Sequence, residues 1–246
     1  MKILVCISKA PDTTTKITFK DNNTKFNEDG VQWILNPFDE WYALVRALEL
    51  KEKLGGTVTV INVGLPDTDP VIRKALAIGA DDAVRINADP ADSYYVGAQI
   101  AEFAKGKGYD IIFTGKETIN YNGFMIGGVV AELLELPFVS LAVALEIEGN
   151  TATIKREIEG GKEVVKVNTP FVVSANKGLA EARIPNMRGI MAAKTKPLAV
   201  VQPAAAEQFT SVKTYEPPKQ KQSVKLVKPD NVQELVDLLH NEAKII

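Results

Sequence analysis

Short continuous apolar runs alternate along most of the chain with stretches whose apolar residues recur at helical spacing. Lys2 to Ile7, Thr57 to Val63, Asp82 to Ile86, Asp110 to Thr114 and Phe171 to Ser174 are uninterrupted runs of β-branched and aliphatic residues. That pattern marks strands buried on both faces, as in a parallel sheet. The intervening stretches carry helix punctuation. From Asn36, Pro37 occupies a first-turn position, Asp39 and Glu40 suit the helix dipole, and Trp41, Leu44, Val45 and Leu48 form one face. Asn36 is the expected N-cap, and Gly55-Gly56 stops this helix near Leu54. Further helices are predicted over Asp69 to Ile78, closed by Gly79, and over Asp92 to Lys105. A fourth starts at Asn122, with Met125, Val129, Leu133 and Leu136 on its face. Strands alternating with such helices predict an α/β fold: a doubly wound, mostly parallel sheet of Rossmann-like type.

Five regions depart from this rhythm. Lys16 to Phe19 and Thr24 to Phe26, joined through Asp21-Asn22-Asn23, predict a small hairpin. Phe138 to Ile147, Thr151 to Ile158 and Glu163 to Val167 are β-rich, the last two joined by Glu159-Gly160-Gly161-Lys162, so an added hairpin over 150–168 extends the sheet. Asn176 to Lys194 has no clear periodicity and is expected to be an exposed segment with apolar tips. Thr195 to Lys228, rich in Pro, Ala, Lys and Gln, is expected to be an extended arm lying on another surface. A short amphipathic helix follows from Asp230, where Asp230 and Gln233 have capping-box spacing and His240 falls at the helix end. The domain organisation expected is an α/β domain over 1–194 and a C-terminal arm with terminal helix over 195–246 that packs on a partner subunit.

Ligands of an open α/β sheet bind at the carboxyl ends of its strands. Cys6, Asn36, Val63 and the loop Gly115 to Gly127 gather there. The stretch Tyr109 to Pro137 joins a strand, a Gly- and Asn-rich loop and a helix start, a composition that lets backbone N–H groups approach an anion. It contains neither a dinucleotide fingerprint nor a P-loop, and turn geometry alone also selects Gly and Asn in such loops.

Composition removes other classes. The chain has 246 residues, 46% hydrophobic, with a formal net charge of −2, which disfavours nucleic acid and anionic membrane as partners. One cysteine and one histidine exclude an internal disulfide and a His/Cys metal site, although carboxylates could still hold magnesium. Cys6 on an apolar strand reads as core packing. Lys2 leads directly into the first strand without a signal segment, and a cytoplasmic location is expected. Glu117, Asp39 and Lys116 could act as acid or base, but each is equally a capping residue or solvated charge. No catalytic constellation is visible, and the expectation is an adenine-nucleotide-binding α/β module with a partner-facing arm rather than an enzyme. A regulatory α/β protein with a self-dimer tail and an ATP-using ligase are the alternatives.

The segment Ile154-Lys-Arg-Glu-Ile-Glu-Gly-Gly-Lys-Glu-Val-Val165, followed by Pro170-Phe-Val-Val-Ser174, resembles the signature of the electron-transfer flavoprotein β-subunit family. The resemblance extends through Asn36-Pro37-Phe38, Ala75 to Asp81, Gly115-Lys116 and Arg183 to Lys194. It implies a heterodimer with an α subunit that holds most of the FAD contacts, and a structural AMP in β. Electrons would pass from acyl-CoA or other flavin dehydrogenases towards a quinone oxidoreductase. By the same resemblance the nucleotide contacts are Cys6, Asn36, Pro37, Phe38, Asp39, Val63, Gly115, Lys116, Glu117, Thr118, Ile119, Asn120, Tyr121, Asn122, Gly123, Phe124, Met125 and Ile126. The partner-docking residues are Glu157, Arg183, Ile184, Pro185, Asn186, Met187, Arg188, Gly189, Ile190 and Met191, with Met187 at the apolar anchor. Many family members carry aspartates and Gln-Thr-Gly or Gln-Val-Gly where this chain reads Asn120-Tyr-Asn-Gly-Phe-Met-Ile-Gly127. Electron-bifurcating relatives hold a second FAD in place of AMP.

Overall fold

The first strand, β1 (Lys2–Cys6), buries both faces, which is why its sequence does not alternate. The computed structural model describes residues 1–37, 39–90, 92–119, 122–219 and 223–246. After β1 come β2 (Lys9–Pro11), β3 (Phe19–Lys20), β4 (Lys25–Phe26), β5 (Trp33–Leu35) and α1 (Asp39–Leu54). Next are β6 (Thr57–Gly64), α2 (Asp69–Ile78), β7 (Asp82–Asn87), α3 (Ser93–Ala104), β8 (Ile111–Gly115) and α4 (Ile126–Leu133). The chain continues with β9 (Phe138–Glu148), β10 (Thr151–Ile158), β11 (Gly161–Asn168), β12 (Phe171–Ala175), α5 (Met187–Ala193), β13 (Leu198–Val201) and α6 (Val232–Asp237).

It divides into two compact units. The larger comprises Met1–Thr18 and Asn27–Val212, the smaller Phe19–Phe26 and Lys213–Ile246. The larger is built on a nine-stranded sheet of order β11-β10-β9-β12-β8-β1-β6-β7-β13. The pairs from β9 through to β13 are parallel, while β9–β10 and β10–β11 are antiparallel, giving the expected parallel sheet with an added hairpin. Ile3, Val5, Phe113 and Phe171 pack with α1 and α2 on one face; Leu4, Cys6, Ile61 and Val172 pack with α3 and α4 on the other. The chain runs outward from β1 through β6 to β7, then returns to β8 on the opposite side of β1, so the topological switch point lies between β1 and β8.

In the smaller unit the predicted hairpin is present as β3 and β4. Phe19 stacks on Tyr215 with ring centroids 4.6 Å apart, and the Tyr215 N–H donates to the Asn23 carbonyl at 2.7 Å. The terminal helix caps one residue later than predicted: Asn231, not Asp230, accepts from the Glu234 N–H. A π-helical turn, Leu238–Glu242, follows and contains His240.

Four other expectations are corrected. Asn36 does not cap α1; its side chain bonds forward to the β8–α4 loop. Asn122 does not cap α4, which begins at Ile126; Asn122 instead adopts φ +50°, a conformation that Asn tolerates better than most residues. The segment after Asn176 is not wholly irregular, because Met187–Ala193 form α5, capped by Asn186 through the Gly189 N–H at 2.8 Å. Nor is the region after Thr195 an arm throughout: Leu198–Val201 pair with Ala83–Ile86 as the edge strand β13. Residues 203–212 then lie along α3. Gln99 exchanges two 2.8 Å hydrogen bonds with the Ala204 backbone, and Asp92 accepts from the N–H groups of Phe209 and Thr210.

Candidate functional site

At the switch point the carboxyl ends of β1 and β8 are tied together by the start of α1. The Asn36 backbone N–H donates to the Ser8 carbonyl at 3.0 Å. Its side chain, fully buried, donates from Nδ2 to the Glu117 carbonyl at 2.9 Å and accepts at Oδ1 from the Ile119 N–H at 3.2 Å. One amide thereby fixes two turns of the loop after β8, each bond adding about 1 kcal/mol net. Asp39 accepts from the Glu117 N–H at 3.3 Å. Glu40 accepts from the Ser8 N–H at 2.5 Å and shares a 2.8 Å hydrogen bond with the Ser8 hydroxyl. Both acids are buried, although they open a helix whose dipole would favour them at the surface as well.

Burial sets their protonation. Desolvation raises the Glu40 carboxyl to about 8; hydrogen bonds from Ser8 and Asn36 act against that rise, and the Asp39 charge adds to it. Asp39 is also raised by burial, countered by Lys116 and the Glu117 N–H. Cys6 is pushed up by burial and then by Glu40, so its thiol stays protonated and is no nucleophile at neutral pH. Lys116 pairs with Glu117 at 3.2 Å.

Space is as tightly set as charge. A Cβ at Gly115 would stand 2.8 Å from Glu40 Cγ and 3.3 Å from Asp39 Cβ, so only glycine lets the loop leave β8 against α1. Thr114 is buried and its Oγ1 has no hydrogen-bond partner; it lies beside Gly127 in the first turn of α4. α4 opens without a side-chain cap, and an orphan hydroxyl beside such a helix start is chemically suited to a polar ligand. Val63 lines the same face as Cys6. Pro37 receives the Asp39 N–H, Thr118 receives the Asn122 N–H at 2.7 Å, and Gly123 sits against Ser93 of α3. Phe124 and Met125 are exposed, while Ile126 packs on the α3–α4 side. Phe38, Asn120 and Tyr121 lie outside the described residues.

The residues expected to dock partners fall in two places. Glu157, near the end of β10, accepts from Asn176 Nδ2 at 2.6 Å beside the carboxyl end of β12. The others lie on the α1–α2 face. Arg183 forms a two-pronged ion pair with Glu52 at 2.6 and 3.1 Å, and its carbonyl accepts from Trp41 Nε1. Pro185 is half-buried, and Asn186 and Arg188 are exposed about the start of α5. Ile184 and Met187 are 82% and 74% exposed, with Ile190 and Met191 beside them. α5 is nonetheless held rigidly: Arg73 of α2 donates to the carbonyls of Ala193 and Lys196 at 2.8 and 2.6 Å, and a Cβ at Gly189 would fall on the Ala77 carbonyl. The apolar side chains are thus presented from a fixed base.

Sequence reasoning missed Glu40 and Thr114. In the sequence Glu40 reads as a first-turn acid suited to the helix dipole, and only its position under Gly115 buries it. The sole signal was the small residue directly after the β8 run. Among the described residues, no cluster of His, Cys, Asp and Glu could hold a metal ion, and no helix is long and apolar enough to cross a membrane.

A doubly wound, mostly parallel sheet with an antiparallel hairpin, whose switch point carries this buried polar floor, defines an open-sheet α/β protein. Residues 23–206 match the Electron transfer flavoprotein domain. Over its whole length the chain is 36% identical to the electron transfer flavoprotein subunit beta of Bacillus subtilis, also covered completely. It is 36% identical to that of Syntrophomonas wolfei, covering 100% of this chain and 98% of the relative, and 30% identical to that of Homo sapiens, covering 92% of each. The chain belongs to the electron transfer flavoprotein β-subunit family, whose members are electron carriers rather than catalysts. Membership implies association with a flavin and pairing with an α subunit.

Proposed function

We propose that this β subunit holds AMP as a structural ligand at the β1–β8 switch point and supports an FAD bound chiefly by its α partner. The observation that carries the reading is Asn36, whose buried amide holds the loop that leads from β8 into α4 through Glu117 and Ile119. Asn36, Asp39, Val63 and the loop 115–126 would hold the nucleotide, with Cys6 as a neutral wall. Thr114 Oγ1 supplies a free hydroxyl beside that loop. AMP contributes no redox chemistry; the flavin accepts and releases the electrons.

The exposed apolar residues of α5, with Arg183 and Ile184 before it, form the docking face for acyl-CoA or other flavin dehydrogenases. Glu157 is the acid that meets the flavin-bearing part of the partner. Electrons then leave towards a quinone oxidoreductase. The region 195–246 packs on the α subunit, and the complex works in the cytoplasm. Acid extraction of the purified heterodimer, followed by mass determination, is expected to release one AMP and one FAD. Two FAD and no AMP would replace the structural-AMP reading with the electron-bifurcating one, and a colourless homodimer would refute both.

A further inference from the structure

The crevice combines two features that oppose each other. Its loop and the start of α4 are suited to an anion, yet two carboxyl groups, Asp39 and Glu40, lie buried directly beneath, separated from the loop only by Gly115. Two carboxylates and a phosphate cannot all be charged in one poorly solvated place without a large electrostatic cost. Among described residues facing the site, Lys116 pairs with Glu117 and offsets part of the rise at Asp39, whereas the groups around Glu40 are the Ser8 hydroxyl and N–H, the Asn36 amide, the Asp39 carboxyl and the Cys6 thiol, none of them a cation. The Thr114 hydroxyl, buried and without a partner on the adjacent strand, independently indicates a polar ligand at this loop.

We infer that Glu40 must be a neutral carboxylic acid when the crevice is filled, so that a nucleoside monophosphate binds together with a proton. The inference rests on the nucleotide reading of the site. When Glu40 is ionised, the Ser8 hydroxyl donates to Oε1 and both Ser8 donors face the carboxylate. On binding, a proton from solvent or buffer adds to a Glu40 oxygen, and the acid can then donate back to Ser8 Oγ across the same 2.8 Å contact. No covalent bond other than O–H forms. Glu40 is thereby a positioning residue: it touches the Ser8 turn and the loop base, and its charge state decides whether the cradle is compatible with a phosphate dianion. Without a ligand charge beside it, burial raises the Glu40 carboxyl to about 8. Nucleotide affinity is therefore independent of pH below 7 on account of this group and falls about tenfold between pH 7 and pH 9.

The test is calorimetric titration of AMP into the heterodimer stripped of nucleotide, in Tris and in phosphate, across pH 7 to 9. The wild type is expected to take up about one proton per AMP at pH 9 and to bind about tenfold more weakly there than at pH 7. In Glu40→Gln, which keeps the side-chain shape but cannot ionise, proton uptake disappears and affinity is flat across the range. The same uptake and the same pH profile in both proteins would overturn the assignment of the proton to Glu40 while leaving AMP binding intact. Failure of both to bind AMP at every pH would overturn the nucleotide reading and this inference with it. A measurement on the wild type needs no variant: with AMP bound at pH 9, infrared difference spectra should retain the carbonyl band of a protonated carboxylic acid that the empty protein loses. Absence of that band refutes the inference.

Discussion

Asp92 offers a sharp test of how residues 203–212 are held, because its two carboxylate oxygens have different tasks. Oδ1 accepts the Tyr95 N–H at 2.7 Å and caps α3. Oδ2 accepts the N–H groups of Phe209 at 2.6 Å and Thr210 at 2.8 Å, where Phe209 also meets Tyr94 edge to face at 4.7 Å. Desolvation opposes ionisation, but these backbone N–H groups outweigh it and hold the carboxyl below its ordinary range. Asp92→Asn keeps an oxygen for the cap and turns the other position into an N–H₂ group aimed at two N–H donors. Asp92→Ala removes both functions. The cap contributes about 1 kcal/mol. The two strap bonds are solvent-accessible and together contribute about 1–2 kcal/mol, a factor of roughly 5–30 in the population of the open strap. Hydrogen exchange of the purified protein, resolved to single amides, reads this directly. Asp92→Asn should raise the rates of Phe209 and Thr210 by about that factor while Tyr95 keeps its protection and Ala204, bound by Gln99, changes little. Asp92→Ala should expose Tyr95 as well. Unchanged Phe209 and Thr210 rates in Asp92→Asn would refute the assignment, as would equal loss at Tyr95.

Glu40 makes a prediction about stability as well as about ligand. Its carboxyl is raised from 4.5 to about 8, so its contribution is complete below 4.5 and is lost as pH rises through 8, with a slope of up to ~1.4 kcal/mol per pH unit. Urea unfolding at several pH values should show this fall in the wild type and not in Glu40→Gln; parallel curves would contradict the burial argument. Gly189→Ala should drive α5 off the Ala77 carbonyl at a cost of about 1–3 kcal/mol, seen as faster exchange across 187–193 with α2 still protected. Met187→Ala should weaken electron transfer from a dehydrogenase while FAD content stays constant, because Met187 is exposed on α5 and outside the crevice; unchanged transfer kinetics would remove it from the docking face. Phe113→Ala, in the fully buried centre of β8, should lower unfolding free energy by about 3–5 kcal/mol in denaturant titration, and a loss below 1 kcal/mol would contradict its place in the core.

Much of this could be read from local pattern. The runs at Lys2, Thr57, Asp82, Asp110 and Phe171 became β1, β6, β7, β8 and β12, because a strand covered on both faces must be apolar throughout. The helices ending at Leu54 and Ile78 stop where glycines permit a change of direction. The same local logic failed where a side chain had a distant use. Asn36 has the right type for a cap, and nothing nearby in sequence reveals that its amide is claimed by Glu117 and Ile119. α5 was hidden because only seven residues form it and its stability comes from α2, through Arg73 and the contact at Gly189. β13 was hidden for a related reason: four residues become a strand only because β7 offers an unpaired edge.

The amino-acid sequence by itself therefore determined the alternation of strand and helix, the parallel sheet, the added hairpin and the strand ends where a ligand could lie. All of these follow from periodicity and from the punctuation of glycine, proline and capping residues, which act over one or two turns of chain. Only the tertiary structure decided which polar residues went inside. Residues 36 and 40 belong to one segment and 114 and 117 to another much later in the chain, and the β1–β8 switch brings the two within hydrogen-bonding reach or close packing. Burial there, not residue type, turns Glu40 from a helix-start acid into a group that titrates near 8. Desolvation depends on every surrounding atom, and no local pattern in the chain encodes it.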